Sequence, residues 1–218
     1  MEIEFKSLMP HAKFNRLTLG DYQQFVELEE LVAFQKSGIP SDHAPPHWTC
    51  KEFEDYLNKG EIVNGIFDQE KMFAFYIFHA TSDELHISEI GVHPDYQGRG
   101  FGKCILKLLE KEAKSRGLGK CTLTVDPFNE RAICLYLHCG YQIKTYKTAY
   151  FGSAYPNTDR FWMEYVFEGP KKLAMGTLKI RVDDANALKL AFEKGFAGTE
   201  LIISSDHNCK HNFVILRK

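Results

Sequence analysis

Residues 97–102 read Gln-Gly-Arg-Gly-Phe-Gly, with a glycine at every second position. An apolar, strand-like run from about Glu84 to Val92 leads in. A helical pattern from about Gly100 to Arg116 follows, with Phe101, Ile105, Leu108, Leu109 and Ala113 on one face. Lys103, Lys107, Glu110, Lys111 and Lys114 occupy the other face. A strand that turns on glycines into a helix restricts the fold more than any other stretch here. Glycine lets the backbone turn sharply and approach a ligand closely. The first amides of the helix have no partner within it, and the helix dipole favours an anion beside them. A pyrophosphate fits such a turn. No Gly-Lys-Ser/Thr follows, which separates it from the nucleoside triphosphate loop. No early strand–turn–helix opens the chain, which separates it from the dinucleotide fold.

Around this turn the pattern alternates strands and helices. A first strand is expected near residues 14–19, with Asp21 as the cap of a helix carrying Phe25, Leu28, Val32 and Ala33. Gly38, Pro40, Pro45 and Pro46 make Ser37–Trp48 a loop. Thr49 and Glu52 form a capping box for a short helix with Phe53, Tyr56 and Leu57. Strands Ile62–Phe67 and Met72–His79 form a hairpin. After the long helix come strand Cys121–Asp126, helix Asn129–Cys139 closed by Gly140, and strands Tyr141–Thr148 and Arg160–Phe167. The strand–helix–strand unit over 84–126 implies a locally parallel pair. The fold class is a mixed α/β sheet.

A break is expected at Glu168-Gly169-Pro170, dividing a domain of residues 1–168 from an extension of 169–218. The extension reads as strand Thr177–Val182, helix Asp184–Lys194, and strands Thr199–Ser205 and Asn212–Leu216. This order repeats the one just before it. Thr122–Asp126 is echoed by Leu178–Asp183, and Leu135–Tyr141 by Leu190–Phe196, with Gly195 matching Gly140.

A net charge of −2 and a sequence pI near 6.5 leave no basic footprint for nucleic acid. No apolar stretch is long enough for a membrane span, and Met1–Phe14 has no apolar core of a signal peptide. Six cysteines without a Cys-x-x-Cys pair read as reduced, buried thiols. The expectation is a cytoplasmic protein. His207, Cys209 and His211 carry ligand chemistry but have no evident fourth partner, so no metal is expected.

Two spaced motifs carry a resemblance. Gln97-x-x-Gly100-x-Gly102, preceded by Val92-x-Pro94, resembles the acetyl-coenzyme A signature of the GNAT superfamily of N-acetyltransferases. Asn129-x-x-Ala132-x-x-x-Tyr136-x-x-x-Gly140-Tyr141 is similar to that family's next motif. The resemblance covers residues 14–167. It implies the GNAT acyl-CoA N-acyltransferase fold, with central parallel strands that splay apart, and acetyl-CoA as acyl donor. Backbone groups of Ile90, Gly91 and Val92 would meet the pantetheine arm. Gln97, Gly98, Arg99, Gly100, Phe101, Gly102 and Lys103 would cradle the pyrophosphate. Asn129 would reach the pantetheine side, and Tyr136 would protonate the leaving thiolate.

Taken without the family, Tyr136 is a core aromatic, Asn129 a helix cap and His86 a strand histidine with satisfied hydrogen bonds. The base that deprotonates the amine stands between His86, Glu89 and a water chain. Simple alternation puts His86 and Glu89 on opposite faces of their strand, and a bulge would change that parity. The acceptor is a small-molecule amine or a peptide or protein amine. The segment Phe34–Leu57, with His43, His47, Trp48 and Phe53, would shape its pocket, and aromatic rings there suit an apolar or cationic acceptor. Other classes stay open: a non-catalytic acyl-CoA-binding or sensing module, or an interaction protein built around the extension. The extension could also serve as a homodimer contact.

Overall fold

The computed structural model describes residues 5, 7–34, 48–167, 176–203 and 212–218. His43, His47, His207, Cys209, His211 and the break at 168–170 lie outside the described residues, as does the side chain of Phe34. The chain forms two compact units, one reaching Cys121 and the other beginning at Thr122 and running to the end.

In the first unit, β1 (Lys13–Arg16), β2 (Ile62–Asp68), β3 (Lys71–Ala80) and β4 (Glu84–Val92) lie side by side in chain order. Each neighbouring pair is antiparallel. Helices α1 (Tyr22–Phe34) and α2 (Cys50–Asn58) pack together with Leu17, Phe25, Leu28, Phe53, Val63, Phe75 and Ile77 in one core cluster. Burying each large apolar side chain of this kind contributes about 1.5–3 kcal/mol. Thr49 and Glu52 form the expected capping box of α2. The first cap differs from expectation. Asp21 does not cap α1; its carboxylate accepts from the Thr18 amide and hydroxyl at 2.8 and 2.9 Å. Asp21 is therefore the third residue of a box headed by Thr18, and a 3₁₀ turn, Leu19–Asp21, precedes the helix.

Helix α3 (Phe101–Ser115) buries Phe101, Ile105, Leu106, Leu109 and Ala113. Leu106 takes the place expected of Leu108, which instead helps line a cavity of about 320 Å³ with Phe14, Ile62, Tyr76 and Phe78. Among the described cysteines all are free, yet Cys50 and Cys134 are exposed rather than buried. Both fall on the outer faces of their helices. Among the described residues no helix is long and apolar enough to cross a membrane.

The second unit contains β5 (Lys120–Val125) from Thr122 onward, α4 (Glu130–His138), β6 (Gln142–Lys147), β7 (Arg160–Val166), β8 (Thr177–Arg181), α5 (Ala185–Glu193), β9 (Ala197–Ile202) and β10 (Phe213–Arg217). Its strands run in the order β5-β7-β6-β9-β10-β8. The segment β8-α5-β9-β10 thus repeats β5-α4-β6-β7 with the strand order reversed about the β6–β9 contact. Matching positions do matching work. Asn129 caps α4 by accepting from Ala132 N at 3.1 Å, and Asp184 caps α5 by accepting from Ala187 N at 3.0 Å. At the other ends, the amides of Tyr141 and Phe196 donate to the carbonyls of Tyr136 and Ala191. The two halves approach closely where Gly198 meets Ile143. A Cβ on Gly198 would lie 2.8 Å from that of Ile143.

Candidate active site

β4 is the element that positions the candidate chemistry. Its pairing with β3 shifts register between Ile77 and Phe78, so that Ile87 faces Phe78 while Glu89 faces Ile77. Ser88 is the extra residue of this bulge. His86 lies opposite His79. His79 and Ile77 share a face of β3 by strand alternation, so the bulge brings His86 and Glu89 onto one face. It is the face that carries Phe75 and Ile77 into the core beneath α1 and α2.

The two candidate bases have different surroundings. His86 is 8% exposed, and its ring centre is 5.1 Å from that of His79. His79 in turn contacts the Glu61 carboxylate at 2.9 Å. His86 stands six residues from Val92, or about 20 Å at strand rise. Glu89 stands three residues from Val92, about half that distance. Its Oε2 accepts from Trp48 Nε1 at 3.2 Å. Burial pushes the Glu89 carboxyl up to about 8, helped by the charge of Glu29 and opposed by the indole hydrogen bond. Glu29 on α1 is itself buried, at 4% exposure.

Neither Glu29 nor the link from Trp48 to Glu89 was anticipated from sequence. Glu29 did leave a signal, because it stands four residues after Phe25 and one after Leu28, inside the apolar stripe of α1.

Beyond β4 the chain makes a 3₁₀ turn, Pro94–Tyr96, and then the glycine stretch. Gln97 folds back so that its side-chain amide donates to Val92 O at 2.8 Å. Gly98 and Gly100 take φ of 76° and 91°, the left-handed region that side chains resist. A Cβ at Gly98 would meet none of the described residues within 4 Å. Backbone handedness, not crowding, is therefore what calls for glycine there. Gly100 is the N-cap of α3 and supplies no side-chain cap, so the first amides of the helix lack that partner. Arg99 and Lys103 are exposed beside them, with Arg99 5.4 Å from the Tyr96 ring centre. Phe101 anchors the helix start, its ring 5.2 Å from Phe73. Left-handed glycines, uncapped amides and two exposed cations fit the pyrophosphate of a coenzyme A ester.

Ile90, Gly91 and Val92 lie in the β3–β4 ladder opposite Tyr76, Phe75 and Ala74. Gly91 has a packing role as well. A Cβ there would come within 2.1 Å of the Phe75 ring. Asn129 and Tyr136 belong to the second unit. Asn129 caps α4, and Tyr136 lies half-buried on that helix, 6.1 Å ring to ring from Tyr141. Below them Asp126 and Arg160 form a buried ion pair at 3.0 Å, and Asp126 Oδ1 accepts from Phe128 N. Among the described residues no group of three His, Cys, Asp or Glu side chains could hold a metal.

The model of the acetyltransferase (GNAT) family matches residues 25–141. The [ribosomal protein bS18]-alanine N-acetyltransferase of Escherichia coli strain K12 is 38% identical over 122 residues, covering 54% of this chain and 76% of its own. The enzyme of the same name from Salmonella typhimurium is 33% identical over 123 residues, 81% of its length. The crystal structure of the Escherichia coli enzyme superposes with a TM-score of 0.58 at 26% identity, covering 74% of this chain and 98% of that one. The paia N-acetyltransferase of Thermoplasma acidophilum, solved with coenzyme A, shares the fold at a TM-score of 0.59 and 16% identity. The family model spans more than half of the sequence, and this chain belongs to the GNAT family of acetyltransferases.

Proposed function

We propose that this acetyltransferase moves the acetyl group of acetyl-CoA onto the α-amine of a peptide or protein amino terminus, with Glu89 as general base and Tyr136 as general acid. One observation carries the reading: the strand that holds Glu89 runs directly into the glycine turn and the uncapped start of α3. The base and the donor cradle are then parts of one continuous backbone segment.

In this reading the uncapped amides after Gly100, with Arg99 and Lys103, hold the pyrophosphate. The acceptor ammonium gives a proton to Glu89, and its freed lone pair attacks the thioester carbonyl. As the C–S bond breaks, Tyr136 donates its phenolic proton to the departing thiolate. The second proton of the attacking nitrogen restores the Tyr136 phenol, and Glu89 releases its proton to solvent, so acetylated amine, free coenzyme A and one proton result.

The carboxyl of Glu89 favours one class of amine. Its pKa of about 8 matches that of an α-ammonium, about 7.7–8.0, so the proton moves with little cost. A lysine ε-ammonium, near 10.4, would give up its proton to the same carboxylate at a cost of about 3 kcal/mol. The relatives named for an alanine of ribosomal protein bS18 act on an acceptor that fits this class.

A panel of short peptides tests it, with coenzyme A release and the mass of the product as readouts. Peptides with a free amino terminus should be acetylated at that terminus, with kcat/KM about 10²-fold above the same peptides blocked there and offering only lysine. Equal or better acetylation of the blocked lysine peptides would overturn the reading.

A further inference from the structure

Trp48 stands one residue before the N-cap of α2 and is held on several sides. Tyr22 Oη donates to its carbonyl at 3.1 Å. The rings of Phe25 and Tyr56 meet its indole edge-on at 5.5 and 4.5 Å. The polar group of the side chain, the indole N–H, donates to Glu89 Oε2 at 3.2 Å. We propose that Trp48 is a positioning residue for Glu89, one that occupies Oε2, fixes the plane of the carboxyl group and leaves Oε1 to take the proton of the acceptor amine. This rests on the reading of Glu89 as the base.

A hydrogen bond to a buried carboxylate favours its charged form. It counts here because the other influences oppose charge. From α1, Glu29 adds a like charge and Tyr22 contributes a phenol to the same cluster. From α2 comes Tyr56, and from β3 the apolar Ile77 directly opposite. On β4 itself His86 shares the face, with His79 and Glu61 beyond it. A rigid donor also costs little to order, because its rings are already packed. In the transfer, the amine N–H bond breaks as the Oε1–H bond forms, Glu89 passes from anion to neutral acid, and the indole keeps its proton throughout.

The first test needs no turnover. The full chain has two tryptophans. The second, Trp162, donates to Glu164 at 3.1 Å and is identified by Trp162→Phe. In ¹H–¹⁵N spectra the Trp48 indole signal should move across about pH 6 to 10 with the ionisation of Glu89. It should stop moving in Glu89→Gln. An indole signal that ignores pH over that range, or titrates equally in Glu89→Gln, overturns the proposal.

The second test is kinetic. Trp48→Phe keeps a ring and removes the N–H, so the rising limb of kcat/KM should shift upward by about one pH unit, with KM for acetyl-CoA unchanged. Trp48→Gln, which restores an N–H donor, should bring the limb part of the way back. A limb unmoved in Trp48→Phe overturns the positioning role while leaving Glu89 as base. Full turnover in Glu89→Gln removes the base itself and this role with it.

Discussion

Glu89 ties chemistry to stability at a single position. The folded protein keeps it protonated up to about pH 8, whereas an unfolded chain loses that proton near 4.3. The stability contributed by the neutral form is therefore complete below the unfolded pKa and is lost as pH rises toward the folded one. Glu89→Gln never ionises. Its melting temperature should match that of the native chain near pH 4 and exceed it by a margin that widens up to about pH 8, then stays level. The same variant should lose about 10²- to 10⁴-fold in kcat/KM, so that one substitution stabilises and disables together. Tyr136→Phe should also cut turnover, by at least about 10²-fold, with coenzyme A affinity unchanged in calorimetry. Unaltered turnover would remove Tyr136 from the mechanism.

At the scale of elements, β4 and the turn after it differ in how far the sequence exposes them. The glycine turn is legible because its cause is local. Left-handed backbone at Gly98 and Gly100 needs glycine whatever the rest of the chain does. The shared face of His86 and Glu89 is not legible, because the bulge at Ser88 arises from pairing with β3. The start of α1 is hard to read for a related reason: Asp21 is a good cap residue, but Thr18 three positions earlier completes a reciprocal box with it. Gly91 shows how a motif residue can serve packing. Gly91→Ala should destabilise the chain by about 1–3 kcal/mol in urea melts through the clash with Phe75. Gly100→Ala should act differently. Among the described residues Leu8 is near, at an ordinary 3.7 Å, so the cost is the strained φ. That is about 1 kcal/mol of stability together with a raised KM for acetyl-CoA.

Across the whole molecule, the repeat in the second unit was legible as matching strings of residues, while the reversal of its strand order was not, since similar segments can stack in either sense. The match extends to caps and helix closures, yet Ala191 stands where the first copy has Tyr136. The later copy therefore keeps the scaffold without the phenol. Where the copies meet, Ile143 pairs with Gly198, whereas β9 and β10 are registered at five positions. Side-chain bonds flank that contact, from Lys189 to Thr148 at 3.3 Å and from Asn212 to Glu130. The strands share one registered pair here, while α5 packs on β6 and α4 on β9 across the same seam. Amides of β6 and β9 along it should exchange through a local opening that spares the β9–β10 hairpin. Gly198→Val, by wedging the seam, should speed exchange there first, and uniform acceleration across β8–β10 would show instead that the copies open as one cooperative block.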